Sequence, residues 1–180
     1  IMVDAALHAA PAAAKIMEAL RVVERKIENK EYFTVDVAAA SSAMREAFKI
    51  LEPNLKANPI NLKGKVVIGS LEGNIQCLGK DIVAAALRSA GFNVVDLGVD
   101  VSPEVFVESA VRERARIIAI SVSVNETVPH LKEVVDLLRR KKLTNEIKTV
   151  VGGRAASEQT LKEYGLNAYA KDANECVEKV

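Results

Sequence analysis

The stretch that decides the fold is residues 64–87, which read GKVVIGSLEGNIQCLGKDIVAAAL. The apolar run from Val66 to Ile68 predicts a buried strand, and residues 82–87 predict a helix. A loop that contains two glycines, residues 72–81, joins them. A glycine-containing loop between a strand and a helix is where α/β proteins commonly bind ligands. The loop is therefore the first candidate for a binding site.

From residue 64 onward, short apolar segments alternate with amphipathic helical segments. Five such repeats predict an α/β fold, in which a parallel sheet is covered by helices on both faces. For five strands, right-handed crossovers favour the flavodoxin-like order 2-1-3-4-5. The predicted strands are 65–69, 93–97, 117–122, 148–151 and 168–170, and the predicted helices are 78–90, 103–113, 128–141, 158–164 and 173–180.

The N-terminal quarter of the sequence predicts helices only. Residues 11–28 carry apolar side chains three or four positions apart, and a second helix is expected over residues 35–51, after Thr34 as a cap. Residues 53–62 contain two prolines and three asparagines, which is typical of a linker. The expected organisation is a helical cap domain (1–52), a linker (53–63) and an α/β domain (64–180).

The composition indicates an ordinary charged surface around a sizeable core. Charged residues make up 27% of the chain, apolar residues 49%, and the net charge is +1. We expect no nucleic-acid partner because that function needs a basic stripe, whereas the basic residues 139–142 fit the end of a helix. We also expect no membrane span and no signal peptide. Cys77 and Cys176 form neither a disulfide framework nor a zinc pattern, which favours a cytoplasmic location.

In the predicted strand order, ligands bind at the switch point between strands 1 and 3. The loop after strand 3 offers the hydroxyls of Ser121, Ser123 and Thr127, which suit a polar, weakly charged ligand. Gly152 and Gly153 follow strand 4 and would let a bulky group come close to the backbone. Each feature has a plainer interpretation as loop or turn chemistry. Their common position at one edge of the sheet indicates a binding site.

Several familiar sites do not match this sequence. The loop lacks the Gly-x-x-x-x-Gly-Lys-Ser/Thr pattern of a phosphate loop. The end of strand 3 lacks the acidic residue that a response-regulator phosphoacceptor site would place there. The two histidines, His8 and His130, are expected at the surface or at helix ends, and no catalytic triad or carboxylate pair is recognisable. No catalytic residue and no metal ligand is therefore assigned.

The loop resembles the cofactor loop of cobalamin-binding (B12-binding) domains, whose pattern is Asp-x-His-x-x-Gly. Asn74 stands at the Asp position, Gln76 at the His position and Gly79 at the Gly position. The similarity extends to residues 91–101, to the serine and threonine after strand 3, to the glycine pair and to the helical cap. Nearly the whole chain is thus similar to the small corrinoid proteins that serve cobalamin-dependent methyltransferases.

The resemblance implies a bound cobalamin between the cap and the α/β domain, with its dimethylbenzimidazole tail detached from cobalt and inserted into the crevice. It also implies a methyltransferase and a reductive-activation protein as partners. By matching position, the residues facing the corrin are Gly73, Asn74, Ile75, Gln76, Cys77, Leu78 and Gly79. Those holding the tail are Ser121, Ser123, Thr127, Gly152 and Gly153, and Met44, with Val35 and Val37, would face the cofactor from the cap.

The exchange of His for Gln76 bears on the lower axial position of cobalt. An imidazole nitrogen backed by a carboxylate is a good metal ligand, and an amide is a poorer one. Three arrangements stay open: no protein ligand, ligation by Cys77 or by Gln76 itself, or a site that binds something else. We expect the first, with the lower ligand absent or a water. The chain would then be a methyl carrier, non-catalytic alone, and the alternative is a storage, delivery or regulatory module.

Overall fold

The structure is a computed structural model that describes residues 29–56 and 63–180, together with 11–12, 15–16, 18–19, 22–23 and 25–26. The described residues of the predicted first helix are helical. The second helix, α1, spans Thr34–Lys56. The part of the predicted cap that precedes residue 11 and most of the predicted linker, residues 57–62, lie outside the described residues.

A five-stranded sheet forms the centre of the α/β domain, and every strand pair in it is parallel. Its order, β2-β1-β3-β4-β5, confirms the predicted flavodoxin-like topology. The register places the last residues of β1, β3 and β4 side by side, since Ser70 pairs with Ser121 and Ser121 with Gly152. The strands are β1 (Lys65–Ser70), β2 (Asn93–Asp96), β3 (Ile117–Ser121), β4 (Lys148–Gly152) and β5 (Ala168–Ala170).

Each strand is followed by a helix, and the helices cover both faces of the sheet. One core is centred on Phe106 and Leu131, which come from the second and third of these helices. The other is centred on Leu87 and Cys176, from the first and the last. The helices are α2 (Leu78–Ser89), α3 (Pro103–Glu113), α4 (His130–Arg140), α5 (Glu158–Tyr164) and α6 (Ala173–Lys179).

Two predicted helix boundaries were wrong. The helix expected over residues 35–51 continues to Lys56, so Pro53 does not end it. Proline disturbs the helical turn before it, but the residues after it can stay helical. The helix expected from residue 128 begins at His130, because Asn125–Thr127 forms a 3₁₀ turn just before it. The Thr127 hydroxyl donates to the Val124 carbonyl oxygen at 2.8 Å, which favours the tighter turn.

The described part of the cap packs against the helices of the α/β domain. Met44 of α1 is only 5% exposed and clusters with Ile82 and Ala85 of α2 and with Ala173 of α6. Burying a methionine side chain stabilises a fold by roughly 2 kcal/mol. This contact fixes α1 on the side of the sheet that α2 and α6 cover. None of the described helices is long and apolar enough to cross a bilayer.

Candidate functional site

A cleft of about 1050 Å³ opens at the carboxyl edge of the sheet. It continues down the sheet face that α2 and α6 cover, and its inner walls are apolar. Ile68, Ala119 and Val150 line it from three neighbouring strands, and Val83 and Cys176 line it from the two helices. Open α/β sheets bind ligands at this edge. The cleft therefore lies where the strand order predicts it.

Asn74 holds the loop after β1 in place from beneath. Its side chain is fully buried, and its amide nitrogen donates to the Ser121 carbonyl oxygen at 3.2 Å. Its side-chain oxygen accepts from the backbone N–H of Gln76 at 3.1 Å. Asn74 was expected to face a cofactor, but it does not line the cleft. Its hydrogen bonds connect the loop to the end of β3.

Gln76 stands at the rim of the cleft with its backbone held at both ends. Besides the bond that its N–H donates to Asn74, its carbonyl oxygen accepts from the hydroxyl of the buried Ser70 at 2.8 Å. The side chain is exposed, and its Oε1 accepts from Nη2 of Arg154 at 2.6 Å. Arg154 lies in the loop after β4, and the sequence analysis did not identify it. Gln76 and Arg154 are far apart along the chain, so no local sequence pattern predicts this contact.

The loops after β3 and β4 supply the opposite wall. Ser121 and Ser123 line the cleft, as expected, and so do Gly152 and Gly153. A Cβ atom on Gly153 would lie 2.3 Å from the Val122 carbonyl oxygen, and one on Gly152 would lie 2.8 Å from the Ala170 carbonyl oxygen. Both distances are far below van der Waals contact, so only glycine fits here. The glycine pair keeps the two loops close together at the rim.

Thr127 and Gly73 contact each other and do not line the cleft. Thr127 is buried, and a Cβ atom on Gly73 would lie 2.9 Å from its Cγ2 atom. The Gly73 N–H donates to Oδ1 of Asp100 at 2.8 Å, and its φ is +80°. Both predicted ligand positions therefore stabilise the base of the loop. The glycine is required there for its backbone conformation and for the close approach of the threonine.

A buried ion cluster fixes the start of α2 beside the cleft. Nζ of Lys80 lies 2.7 Å from Oδ1 of Asp81 and 2.6 Å from Oδ2 of Asp96. The side chains of Lys80 and Asp81 are each 3% exposed, and that of Asp96 is 27% exposed. Lys80 lines the cleft. The cluster was not predicted from the sequence, although an acidic residue inside an otherwise apolar helix indicates a buried partner.

The mouth of the cleft is apolar and faces outward. Phe33 and Ile75 both line it, and they are 74% and 77% exposed. Tyr32 and Lys30, which lie just before α1, line it as well. These residues of the cap were not assigned to the site from the sequence. A large exposed apolar rim of this kind indicates that a ligand or partner covers it.

Comparison with protein-family models assigns residues 64–177 to the B12 binding domain. The chain belongs to the B12-binding domain family.

Within this family, the chain is similar to corrinoid proteins over most of its length. It is 34% identical over 188 aligned positions to dimethylamine corrinoid protein 2 of Methanosarcina mazei, covering 98% of this chain and 88% of the relative. The monomethylamine corrinoid protein of Methanosarcina barkeri superposes with a TM-score of 0.64 at 30% identity, covering 88% of this chain and 75% of that one. The methanol:cobalamin methyltransferase complex MtaBC of M. barkeri gives a TM-score of 0.65 at 30% identity, over 91% of this chain and 62% of the matched chain.

The cleft of this B12-binding domain has the properties that a corrinoid tail requires. A dimethylbenzimidazole ring is flat and apolar, and the side chains of Ile68, Ala119 and Val150 form an apolar inner wall. The glycine pair gives backbone access, and Ser121 and Ser123 offer hydroxyls nearer the rim. The residues present therefore fit the tail of the cofactor.

The described residues at the rim of this B12-binding domain include few donor atoms for a metal ion. Among the described residues the only histidine is His130, which pairs with Glu133 at the start of α4 and does not line the cleft. Ile75, Cys77 and Gly79 line the cleft beside Gln76. The side chain of Leu78, like that of Val37, lies outside the described residues. No described cluster of His, Cys, Asp and Glu could hold a metal ion by itself.

The two cysteines and the cap residues Met44 and Val35 differ in their position relative to the cleft. Cys77 lines the rim and is half-buried. Burial raises the pKa of the Cys176 thiol at the inner end of the cleft to about 12, so this thiol stays protonated at physiological pH. Met44 lies in the contact between α1 and α2 and does not line the cleft, and Val35 is exposed without lining it. Cap residues 30, 32 and 33 line the cleft where Met44 and Val35 were expected.

Proposed function

We propose that the cleft binds cobalamin in the base-off form, with no histidine as the lower ligand of cobalt. The observation that carries this proposal is a cleft of about 1050 Å³, whose apolar inner part runs beneath a rim that includes Gln76 and, among the described residues, no imidazole. A detached dimethylbenzimidazole tail would occupy the inner part. The lower axial position would then face Gln76 and carry a water or no ligand.

The residues of the chain would hold this cofactor through shape and weak polar contacts. Gly152 and Gly153 line the rim where the nucleotide part of the tail would lie, and Ser121 and Ser123 can donate or accept hydrogen bonds there. Phe33 and Ile75 would cover apolar parts of the corrin from opposite sides of the mouth. Their burial on binding would contribute roughly 25 cal/mol per Å² of apolar surface.

We propose that the loaded protein serves as a methyl carrier in a cobalamin-dependent methyltransferase system. When bound, the cofactor supplies a cobalt centre that can carry a methyl group. The described residues that line the cleft form no recognisable catalytic triad, so a partner methyltransferase would supply the catalytic groups. A reductive-activation protein is the second proposed partner, and the cytoplasm is the proposed location. Homology to corrinoid proteins of methyltransferase systems supports this role.

Reconstitution with hydroxocobalamin tests the binding proposal directly. Cobalamin should elute with the protein in gel filtration, and its visible spectrum should be that of the base-off form. A base-on spectrum, or elution of the cobalamin apart from the protein, would contradict the proposal. Methyl transfer to the loaded protein, with a methylamine or methanol methyltransferase present, tests the carrier role separately.

Exchange of the rim residue tests the position of Gln76. The variant Gln76→His should shift the Co(II) spectrum of the loaded protein toward a nitrogen-ligated form, because imidazole is the better donor. An unchanged spectrum would show that residue 76 does not face cobalt.

A further inference from the structure

The contact between Gln76 and Arg154 determines which atom of the amide is available to the cleft. Nη2 of Arg154 lies 2.6 Å from Oε1 of Gln76. A guanidinium has five N–H donors and no acceptor, so its partner in the amide must be the oxygen. The amide nitrogen of Gln76, which can only donate, is the atom left without this partner.

This orientation bears on metal ligation. A glutamine side chain coordinates metal ions through its carbonyl oxygen, because the amide nitrogen has no available lone pair. We infer that Arg154 is a positioning residue that turns the Gln76 oxygen toward the loop after β4 and so leaves cobalt without a protein ligand. This inference rests on the proposed function. Two causes would then leave cobalt without a lower ligand. One is the exchange of histidine for Gln76, and the other is the contact that Arg154 makes with its oxygen.

The surroundings of the two residues keep this contact in place. The backbone of Gln76 is held by Asn74 and Ser70, as described above. The loop that carries Arg154 is held by the N–H of Ala155, which donates to the Val122 carbonyl oxygen at 3.1 Å. Among the described ion pairs, no carboxylate competes for Arg154. Both side chains are exposed, and a ligand that covers the rim would strengthen the bond by lowering the local dielectric.

The alternative is that Arg154 acts only through its positive charge. Substituting Arg154 in the wild-type protein and in a Gln76→Ala variant distinguishes this charge effect from the positioning of Gln76. If Arg154 works by orienting Gln76, its removal matters only while Gln76 is present. Arg154→Ala should release the oxygen to approach cobalt, which stabilises Co(II) relative to Co(I). In a Gln76→Ala background the same substitution should have no effect. Arg154→Lys should retain the native behaviour, because an ammonium can also donate to the oxygen.

The experiment uses full-length protein loaded with cobalamin and a potentiometric titration of the Co(II)/Co(I) couple. We expect Arg154→Ala to lower the midpoint potential by about 59 mV, a tenfold change in a one-electron equilibrium. Its Co(II) spectrum should also change, because the amide oxygen would take the place of the water or fill the open position at cobalt. Arg140→Ala is the matched control, since Arg140 is an exposed arginine at the far end of α4. In the apoprotein, Arg154→Ala should shift the NMR resonances of the Gln76 side-chain amide.

Each outcome bears on the inference. A shift in the wild-type background that disappears in Gln76→Ala supports it. An equal shift in both backgrounds overturns it in favour of a charge effect, and no shift in potential or NMR resonance overturns it outright. If wild-type protein does not retain cobalamin, the proposed function fails together with the inference. If cobalamin is retained base-off but Arg154→Ala behaves as wild type, only the inference fails.

Discussion

Replacement of Gly153 by alanine should destabilise the domain strongly. The added Cβ would lie 2.3 Å from the Val122 carbonyl oxygen and 2.8 Å from the carbonyl carbon, and the glycine has a φ of +109°. The clashing atoms belong to a buried strand end, so no flexible side chain can move aside. A residue held in such a backbone conformation costs of order 1–3 kcal/mol before any clash is counted. We expect a loss of about 3 kcal/mol in the free energy of unfolding.

The assay is equilibrium unfolding in urea, followed by circular dichroism. With a slope of about 2 kcal/mol per molar urea, a loss of about 3 kcal/mol lowers the midpoint by roughly 1.5 M. Gly79→Ala is the matched control, because a Cβ atom there meets nothing within 4 Å and the residue lies in α2. That substitution should be neutral or stabilise by up to about 1 kcal/mol. Similar midpoints for both variants would refute the steric reasoning.

Three further predictions concern the loop and the cleft. Asn74→Asp should destabilise the domain at pH 7, because a buried carboxylate would face the Ser121 carbonyl oxygen, to which the amide now donates. Burial would raise the pKa of this carboxyl, so the free energy of unfolding should recover as the pH falls. Urea midpoints that do not depend on pH would contradict this. Lys80→Met should cost about 3–5 kcal/mol by removing the cation of a buried ion pair, and adding Asp81→Asn should restore part of the urea midpoint. In native protein at pH 8, Ellman's reagent should label at most Cys77, because the Cys176 thiol has its pKa raised to about 12 by burial; labelling that persists in Cys77→Ser would show that Cys176 is accessible.

The sheet could be predicted from the sequence because its signals are local. The apolar run at residues 66–68 and the glycines after it define a strand, a loop and a helix without reference to distant residues. The strand order then followed from general rules of handedness. A local signal also marks one helix start, because Ser102 directly precedes Pro103 and its hydroxyl accepts from the N–H of Val105.

The location of the candidate site could be predicted from the sequence, but only some of its side-chain contacts could. Gly152 and Gly153 were identified because glycine has few roles after a strand. Arg154, the next residue, was missed because its partner is 78 positions away and an exposed arginine carries no pattern of its own. Asn74 lies beneath the loop rather than on its surface, where its amide nitrogen donates to β3 and its side-chain oxygen accepts from the loop. Those directions depend on the folded backbone.

The way in which residue 76 is held has a consequence for how this rim can evolve. Its N–H and carbonyl oxygen are bound by Asn74 and Ser70, so the backbone of the loop does not depend on which side chain stands there. The side chain contributes one exposed contact, to Arg154, and nothing to the core. A single codon change at this position can therefore alter the donor atom offered to a ligand while the fold is conserved. Asn74 and Ser70 thus fix the backbone of the loop, while the side chain at position 76 determines the donor atom that the loop offers.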